Sequence, residues 1–324
     1  MKIAVTGASG HVGTNLCEML IQQGHELRAL VYQDLKGIEH LPIDFIRGDV
    51  TREEDLVTLC RNCEIVIHMA AYISLRKKDR DCRRINVDGC VNLINAAKKT
   101  GIRKIIHFSS IHAYDQEPLN ETLDENRSLC LNSSISYNQS KARSQKFMME
   151  SSTRDLEIII LNPTAIIGPV DYTPSHFGNA LLRFYRGQNP GIIPGGYNWV
   201  DVRDVCLATI NALEYGTGGA SYLISGSWQS LKTVVNDIWK LGGHTPPRLE
   251  LPFFLAQIGA PFLNFHSYIR KKPPLFTYVA LDTIKNSHRD ISYEKARQVL
   301  NYNPRSFDVT LYDTIKWFQD NKYI

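Results

Sequence analysis

Several features that would settle the class of a protein at once are missing from this chain. Its 324 residues carry 37 Lys and Arg against 33 Asp and Glu, and the formal charge of +4 is too small to argue for a nucleic-acid partner. The seven cysteines, at 17, 60, 63, 82, 90, 130 and 206, lack the repeated spacing of a disulfide framework. Cys60 and Cys63 make a C-x-x-C, but no second ligand pair stands at zinc-site spacing, so no metal is expected. A redox pair would open a helix, where its thiolate is stabilised, whereas this one closes a predicted helix and reads as packing. The apolar residues after Met1 are strand-sized rather than leader-sized, so no export signal is read and reduced thiols in the cytoplasm are the expectation. The most apolar late stretch, "LPFFLAQIGAPFLNFHSYI" (251–269), is broken by Gly, Pro, Asn and His, which argues against a membrane span. It reads as cap core or as the wall of an apolar pocket, with "RKK" (270–272) leaving a membrane-surface role open. The basic run "RKKDRDCRR" (76–84) reads as a solvated loop and helix start.

What is present is a folded, core-forming composition, 43% apolar and 22% charged, which excludes disorder. The first half alternates short apolar runs with amphipathic stretches. Strands are expected at 2–6, 26–31, 43–48, 64–69, 102–109 and 157–162. Helices are expected at 11–23, at 52–61 behind a Thr51/Glu54 capping box, at 80–99 and at 136–152. Such alternation gives parallel strands joined by right-handed crossovers, hence an α/β doubly wound sheet covered on both faces. Past residue 163 proline and glycine become frequent, with helices expected at 175–186, 202–214, 230–240 and 253–268. The expected division is a dinucleotide-binding domain over 1–165 and a smaller mixed α/β substrate cap over 166–324. Segments near 191–193 and 220–224 are expected to return to the main sheet.

Three glycines, Gly7, Gly10 and Gly13, follow the first strand at steps of three and lead into a helix. That setting lets a diphosphate approach the backbone and meet the free N–H groups of the helix N-terminus. Farther on, Tyr137 and Lys141 in "YNQSK" stand four apart and share a helical face. A tyrosine with a pKa near roughly 10 is a poor base at neutral pH, and a nearby ammonium moves it toward a useful range.

The T-G-x-x-G-x-x-G spacing resembles the extended short-chain dehydrogenase/reductase family, of the epimerase/dehydratase type with a Rossmann fold, and further segments carry the resemblance along nearly the whole chain. They are "GDVTREEDL" (48–56), "HMAA" (68–71), "INVDGCVNLINAA" (85–97), "HFSSIHAY" (107–114), "LNPTAIIGP" (161–169) and "WVDVRDV" (199–205). The resemblance implies a nicotinamide dinucleotide on Thr6, Gly7, Ser9, Gly10, His11, Val12 and Gly13. It places Asp49 and Val50 at the adenine and Met69, Ala70 and Ala71 along the cofactor. Ser109, Asn162, Pro163, Thr164 and Ile166 would lie by the nicotinamide. Catalysis would fall to Tyr137, Lys141 and a serine, with Asn86 in a structural and proton-relay role. Ser110, four residues before Tyr114, matches the catalytic register better than Ser109.

NAD-specific relatives close the second strand with a carboxylate for the ribose diol, where this chain has Val31, then Tyr32 and Gln33. NADP(H) is therefore favoured over NAD(H), with Tyr32, Lys36 or Arg28 near a 2′-phosphate. The late segments resemble dihydroflavonol reductase and cinnamoyl-CoA reductase members more than sugar enzymes, since "PGGYNWVDV" has no Arg for a sugar diphosphate. The expected activity is reduction of a ketone or aldehyde, or oxidation of the alcohol, on a small apolar substrate. A nucleotide-sugar epimerase or dehydratase and a non-catalytic dinucleotide sensor are the alternatives. Family members often dimerise through the helices read at 80–99 and 136–152, so a homodimer is expected as well.

Overall fold

Strands that read as nearly unbroken apolar runs are what a sheet buried on both faces requires. Ile3–Val5, Val66–Ile67, Ile105–Ile106 and Ile158–Leu161 are all fully buried. The computed structural model describes residues 1–188, 191–243, 252–253 and 278–324. In chain order the strands are β1 (Lys2–Thr6), β2 (Glu26–Val31), β3 (Ile43–Arg47), β4 (Ile65–His68), β5 (Lys104–Phe108), β6 (Glu157–Pro163), β7 (Ala165–Ile167), β8 (Gly196–Asp201), β9 (Ser221–Ile224) and β10 (Ser227–Ser230). Seven of them form a parallel sheet in the order β3-β2-β1-β4-β5-β6-β9. The order reverses between β1 and β4. A crevice opens at such a switch point beyond the carboxyl ends of the strands.

The helices are α1 (His11–Gln22), α2 (Glu53–Cys60), α3 (Arg80–Arg83), α4 (Gly89–Thr100), α5 (Ser136–Glu150), α6 (His176–Tyr185), α7 (Val202–Tyr215), α8 (Leu231–Leu241), α9 (Tyr278–Lys285), α10 (Glu294–Leu300) and α11 (Phe307–Asp320). Leu16 and Leu20 of α1 and Val205 and Ala212 of α7 join the core on one face of the sheet. Leu56 of α2, Leu93 and Ala97 of α4 and Met148 of α5 join it on the other. A second sheet, β10-β8-β7, packs with α6, α8 and α11 around Trp199, Leu181 and Phe307.

Three sequence expectations change. The helix read at 80–99 is two helices joined by a π-turn over Arg84–Asp88. No Thr51/Glu54 capping box forms, because Asp49 Oδ1 accepts the Thr51 N–H at 2.9 Å, and α2 begins without a side-chain cap. Glu53, Glu54 and Asp55 in its first turn offset the helix dipole instead. Residues 191–193 contribute no strand to the large sheet; Ile192 packs in the cap core and Ile193 against Leu281. The segment read near 220–224 is β9, which extends the main sheet beside β6, and α7 covers the face of that sheet. The helix read at 253–268 lies outside the described residues.

One ionic cluster ties this crossing chain together. The fully buried Asp201 carboxylate caps α7 through the Arg203 N–H and takes a two-pronged grip from the Arg203 guanidinium at 2.9 and 2.7 Å. Arg203 also reaches Asp313 on α11 at 2.7 Å, and Arg305 bridges Asp204 at 2.8 Å. Burial opposes the Asp201 charge, but the Arg203 hydrogen bonds outweigh it and hold the pKa below the usual carboxylate range. Removing one member of a buried pair leaves the other uncompensated. Asp201→Asn is therefore expected to cost about 2–4 kcal/mol, read as a lower urea midpoint at pH 7.

Candidate active site

The glycine turn is shaped by contact on two of its three positions. Gly7 has φ +76°, and a side-chain carbon there would lie 2.8 Å from the Ala70 nitrogen. One on Gly13 would lie 2.1 Å from the Gly7 carbonyl, so α1 packs directly onto the turn. Gly10 differs: it is exposed, and an added carbon meets only the Gly7 oxygen, at 3.3 Å. Gly10 is also the N-cap of α1, with no side-chain cap and no acidic residue in the first turn. The helix N-terminus is thus left open for an anion, in front of the one glycine that has free space.

Gly7, Ser9, Gly10, His11, Val12 and Gly13 line a cavity of about 1000 Å³. Met69, Ala71, Ser109, Ser110, Tyr137, Lys141, Pro163, Thr164 and Ile166 line it too. The cap closes it with apolar side chains, among them Phe177, Ile192, Ile193, Trp199 and Ile284. α6 contributes His176, Asn179 and Arg183, three positions on one helical face that the sequence reading passed over although their spacing was visible. His112, also missed, lines the cavity and meets Tyr137 edge-on with ring centroids 6.1 Å apart.

The fold brings Ser110, Tyr137 and Lys141 to this cavity by two routes. β5 ends at Phe108, and Ser110 caps a short 3-10 turn over Ile111–Ala113, accepting the His112 N–H at 3.2 Å. Tyr137 and Lys141 lie in the first turns of α5. That helix buries a polar face: Ser140 bonds the Tyr137 carbonyl at 2.7 Å, Ser144 the Lys141 carbonyl at 3.1 Å, and Gln145 the Tyr114 hydroxyl at 3.0 Å. Lys141 is buried and donates from Nζ to the Phe108 carbonyl at 2.9 Å. Burial pulls its pKa down to about 8. Burial pushes Tyr137 up to about 12, and the Ser110 hydroxyl only partly reverses this. The expectation that Lys141 depresses Tyr137 is corrected here: burial dominates, Lys141 is engaged by Phe108, and the phenol stays protonated. Ser110 rather than Ser109 faces Tyr137; the buried Ser109 hydroxyl has no hydrogen-bond partner among the described residues.

Other expected site residues sit behind the wall. Asn162 is buried and donates to the Ser110 carbonyl at 3.0 Å and to Gln145 at 2.6 Å, which positions the serine turn. Thr6 binds His68 at 2.7 Å and takes the Ala70 N–H at 3.2 Å. Asn86 lies in the π-turn, and its amide is occupied by Tyr72 N at 2.7 Å, Tyr72 O at 3.0 Å and Ser140 at 3.0 Å. Its side chain therefore buttresses α5 from outside the cavity lining, which fits the structural part of the role that the resemblance implies. A π-turn at such a point is typical of functional sites. Asp49, Val50, Ala70, Tyr32 and Lys36 do not line this cavity. Tyr32 is exposed, and Lys36 lies over the Tyr323 ring. Arg28 is unavailable for a phosphate because Asp44, at 2.6 Å, and the Arg61 carbonyl hold it.

This glycine turn, cleft and Ser–Tyr–Lys group belong to one class of enzyme, the extended short-chain dehydrogenases/reductases. The profile of the NAD dependent epimerase/dehydratase family matches residues 3–225, and the chain belongs to that family. A Synechocystis sp. protein provisionally named a dihydroflavonol 4-reductase is 32% identical over 99% of this chain and 95% of its own. "Sterol demethylase protein B" of Methylococcus capsulatus is 28% identical over the full length of both chains. The crystal structure of gox2253 superposes with a TM-score of 0.83 at 28% identity, covering 99% of this chain and 98% of that one.

The two glycine positions separate ligand binding from folding. Gly10→Val is expected to keep a native melting profile and to lose nicotinamide-dinucleotide binding in a fluorescence titration. Gly13→Val, whose side chain would enter the Gly7 backbone, is expected to destabilise the fold by more than about 2 kcal/mol.

Proposed function

We propose that this protein reduces a ketone on an apolar, ring-sized substrate, or oxidises the corresponding alcohol, with a nicotinamide dinucleotide as the hydride carrier. The observation that carries the reading is the half-buried Tyr137, its pKa pushed up to about 12 by burial, beside Ser110 on a cavity walled by apolar cap residues. The open α1 N-terminus at Gly10 fits a diphosphate, and Met69 and Pro163 line the path to the reacting end. When bound there, the dinucleotide supplies or accepts hydride. The protein's own residues do the rest. Ser110 holds the substrate oxygen, Tyr137 gives that oxygen its proton, and Lys141 keeps a positive charge behind the pair and offers it to the cofactor ribose. Relatives named for sterol chemistry include "Sterol demethylase protein B" and a sterol-4-alpha-carboxylate 3-dehydrogenase from Schizosaccharomyces pombe, 24% identical over 97% of this chain. Their names support a polycyclic alcohol or ketone over a nucleotide sugar.

A positioned acid–base group contributes roughly 10²–10⁴-fold to rate. Tyr137→Phe is expected to lower kcat by about that factor on a ring ketone found by screening, with cofactor affinity unchanged. Lys141→Met is expected to damage both. In the wild type the reductive kcat should hold below pH 8 and fall above it as the Lys141 ammonium, with its pKa lowered to about 8, is lost. Full activity in Tyr137→Phe, or interconversion of UDP-sugars without net redox change, would overturn the proposal.

The cofactor preference follows from β2. Val31 ends that strand where a ribose-binding carboxylate would stand, and we assign the preference to NADP(H) on that ground. Titrating NADPH and NADH at equal salt should give the tighter Kd for NADPH; tighter NADH binding would reverse the assignment.

A further inference from the structure

Behind Lys141, on the side away from the cavity, three potential metal ligands meet that no sequence spacing brought together. His68 ends β4, His107 lies beside it on β5 in register, and Cys90 comes from the first turn of α4. One ligand atom from each lies within 4.8 Å of the other two. All three residues are no more than 2% exposed. The two imidazoles stack with centroids 5.4 Å apart. Both nitrogens of His107 and Nε2 of His68 are buried without a hydrogen-bond partner among the described residues. Buried polar atoms in native proteins are nearly always paired, so three orphaned nitrogens in one cluster call for an occupant. The other His68 nitrogen is held by Thr6 at 2.7 Å, the outer-shell support that orients a ligating histidine.

We propose that His68, Cys90 and His107 form a closed three-coordinate site for a soft monovalent d10 ion, Cu(I). One thiolate and two imidazoles suit a soft or borderline metal and not a hard one. Among the described residues there is no fourth His, Cys, Asp or Glu in the group, so a tetrahedral zinc site is incomplete. Charge makes the same choice. Burial disfavours added positive charge on both histidines and opposes an uncompensated Cys90 thiolate, and the nearby Lys141 acts more weakly on all three. Cu(I) replaces the Cys90 proton, which leaves to solvent, and the complex with two neutral imidazoles carries no net charge. A divalent ion would leave one uncompensated positive charge next to a buried ammonium. Bonds of about 2.0 Å to nitrogen and 2.3 Å to sulfur set trigonal ligands roughly 3.5–4 Å apart, against the 4.8 Å within which the three ligand atoms lie.

The test loads the full-length protein with Cu(I) anaerobically against a chromogenic Cu(I) chelator. Wild type is expected to bind one equivalent, with X-ray absorption reporting one sulfur and two nitrogen neighbours. Cys90→Ala should lose that equivalent, Cys130→Ala should keep it, and Thr6→Ala should weaken it about 10–100-fold, as removal of outer-shell support does. Circular dichroism melts identify any variant that fails to fold, and His107→Gln provides a second ligand deletion. Equal Cu(I) uptake by wild type and Cys90→Ala, loss in Cys130→Ala, or a two-sulfur environment would each overturn the site. Tighter one-to-one binding of Zn(II) than of Cu(I) would overturn the choice of ion.

Discussion

The burial of one ammonium group organises this site. Lys141 is 4% exposed, and a charge taken out of water is costly unless hydrogen bonds replace its hydration. Its bond to the Phe108 carbonyl fixes α5 against the end of β5, the junction where Ser109 and Ser110 turn toward the cavity. Because Lys141 faces inward, the neighbouring turns of α5 must face inward too. Ser140, Ser144 and Gln145 are buried there, and each finds a partner in its own helix or in Tyr114. A helix with so polar a buried face would not pack on an ordinary apolar core. It packs here because the opposing groups, Asn86, Tyr114 and Asn162, answer it bond for bond.

The sheet supplies the second constraint. Its strands are apolar along their length and become polar at their carboxyl ends, at Thr6, His68, His107 and Asn162. That change of character coincides with the reversal of strand order between β1 and β4. The cap then covers the crevice with aromatic and aliphatic side chains, while the Asp201–Arg203–Arg305 cluster clamps the chain where it crosses between the two layers. The wall at Gly7–Gly13 is thus shaped by backbone and glycine contacts, and the cap wall by side-chain surfaces.

These two kinds of geometry were unequally legible in the sequence. Strand–helix alternation and the glycine steps are local patterns, and β1, α1, β2 and β6 appear close to where periodicity placed them. Tyr137 and Lys141 announce themselves by helical spacing. For Asn86 the resemblance implied a structural role, but only the folded chain reveals that Tyr72 and Ser140 are the groups its amide holds. The capping box failed because a nearer carboxylate, Asp49, competed for the same N–H. Residues 191–193 look like a strand for their apolar content, but the cap core offered them a different burial. His68, His107 and Cys90 are separated by intervals that fit no motif; strand register pairs the two histidines and the packing of α4 on the sheet brings Cys90 to them.

Burial acts in opposite senses on Tyr137 and Lys141, and this bears on the direction of the proposed reaction. A low-dielectric setting favours neutral forms, raising Tyr137 to about 12 and lowering Lys141 to about 8. At neutral pH the resting pair is therefore a phenol beside an ammonium. That state is ready to give a proton to a carbonyl oxygen, which is the need of reduction. Oxidation needs the phenolate, whose formation burial opposes.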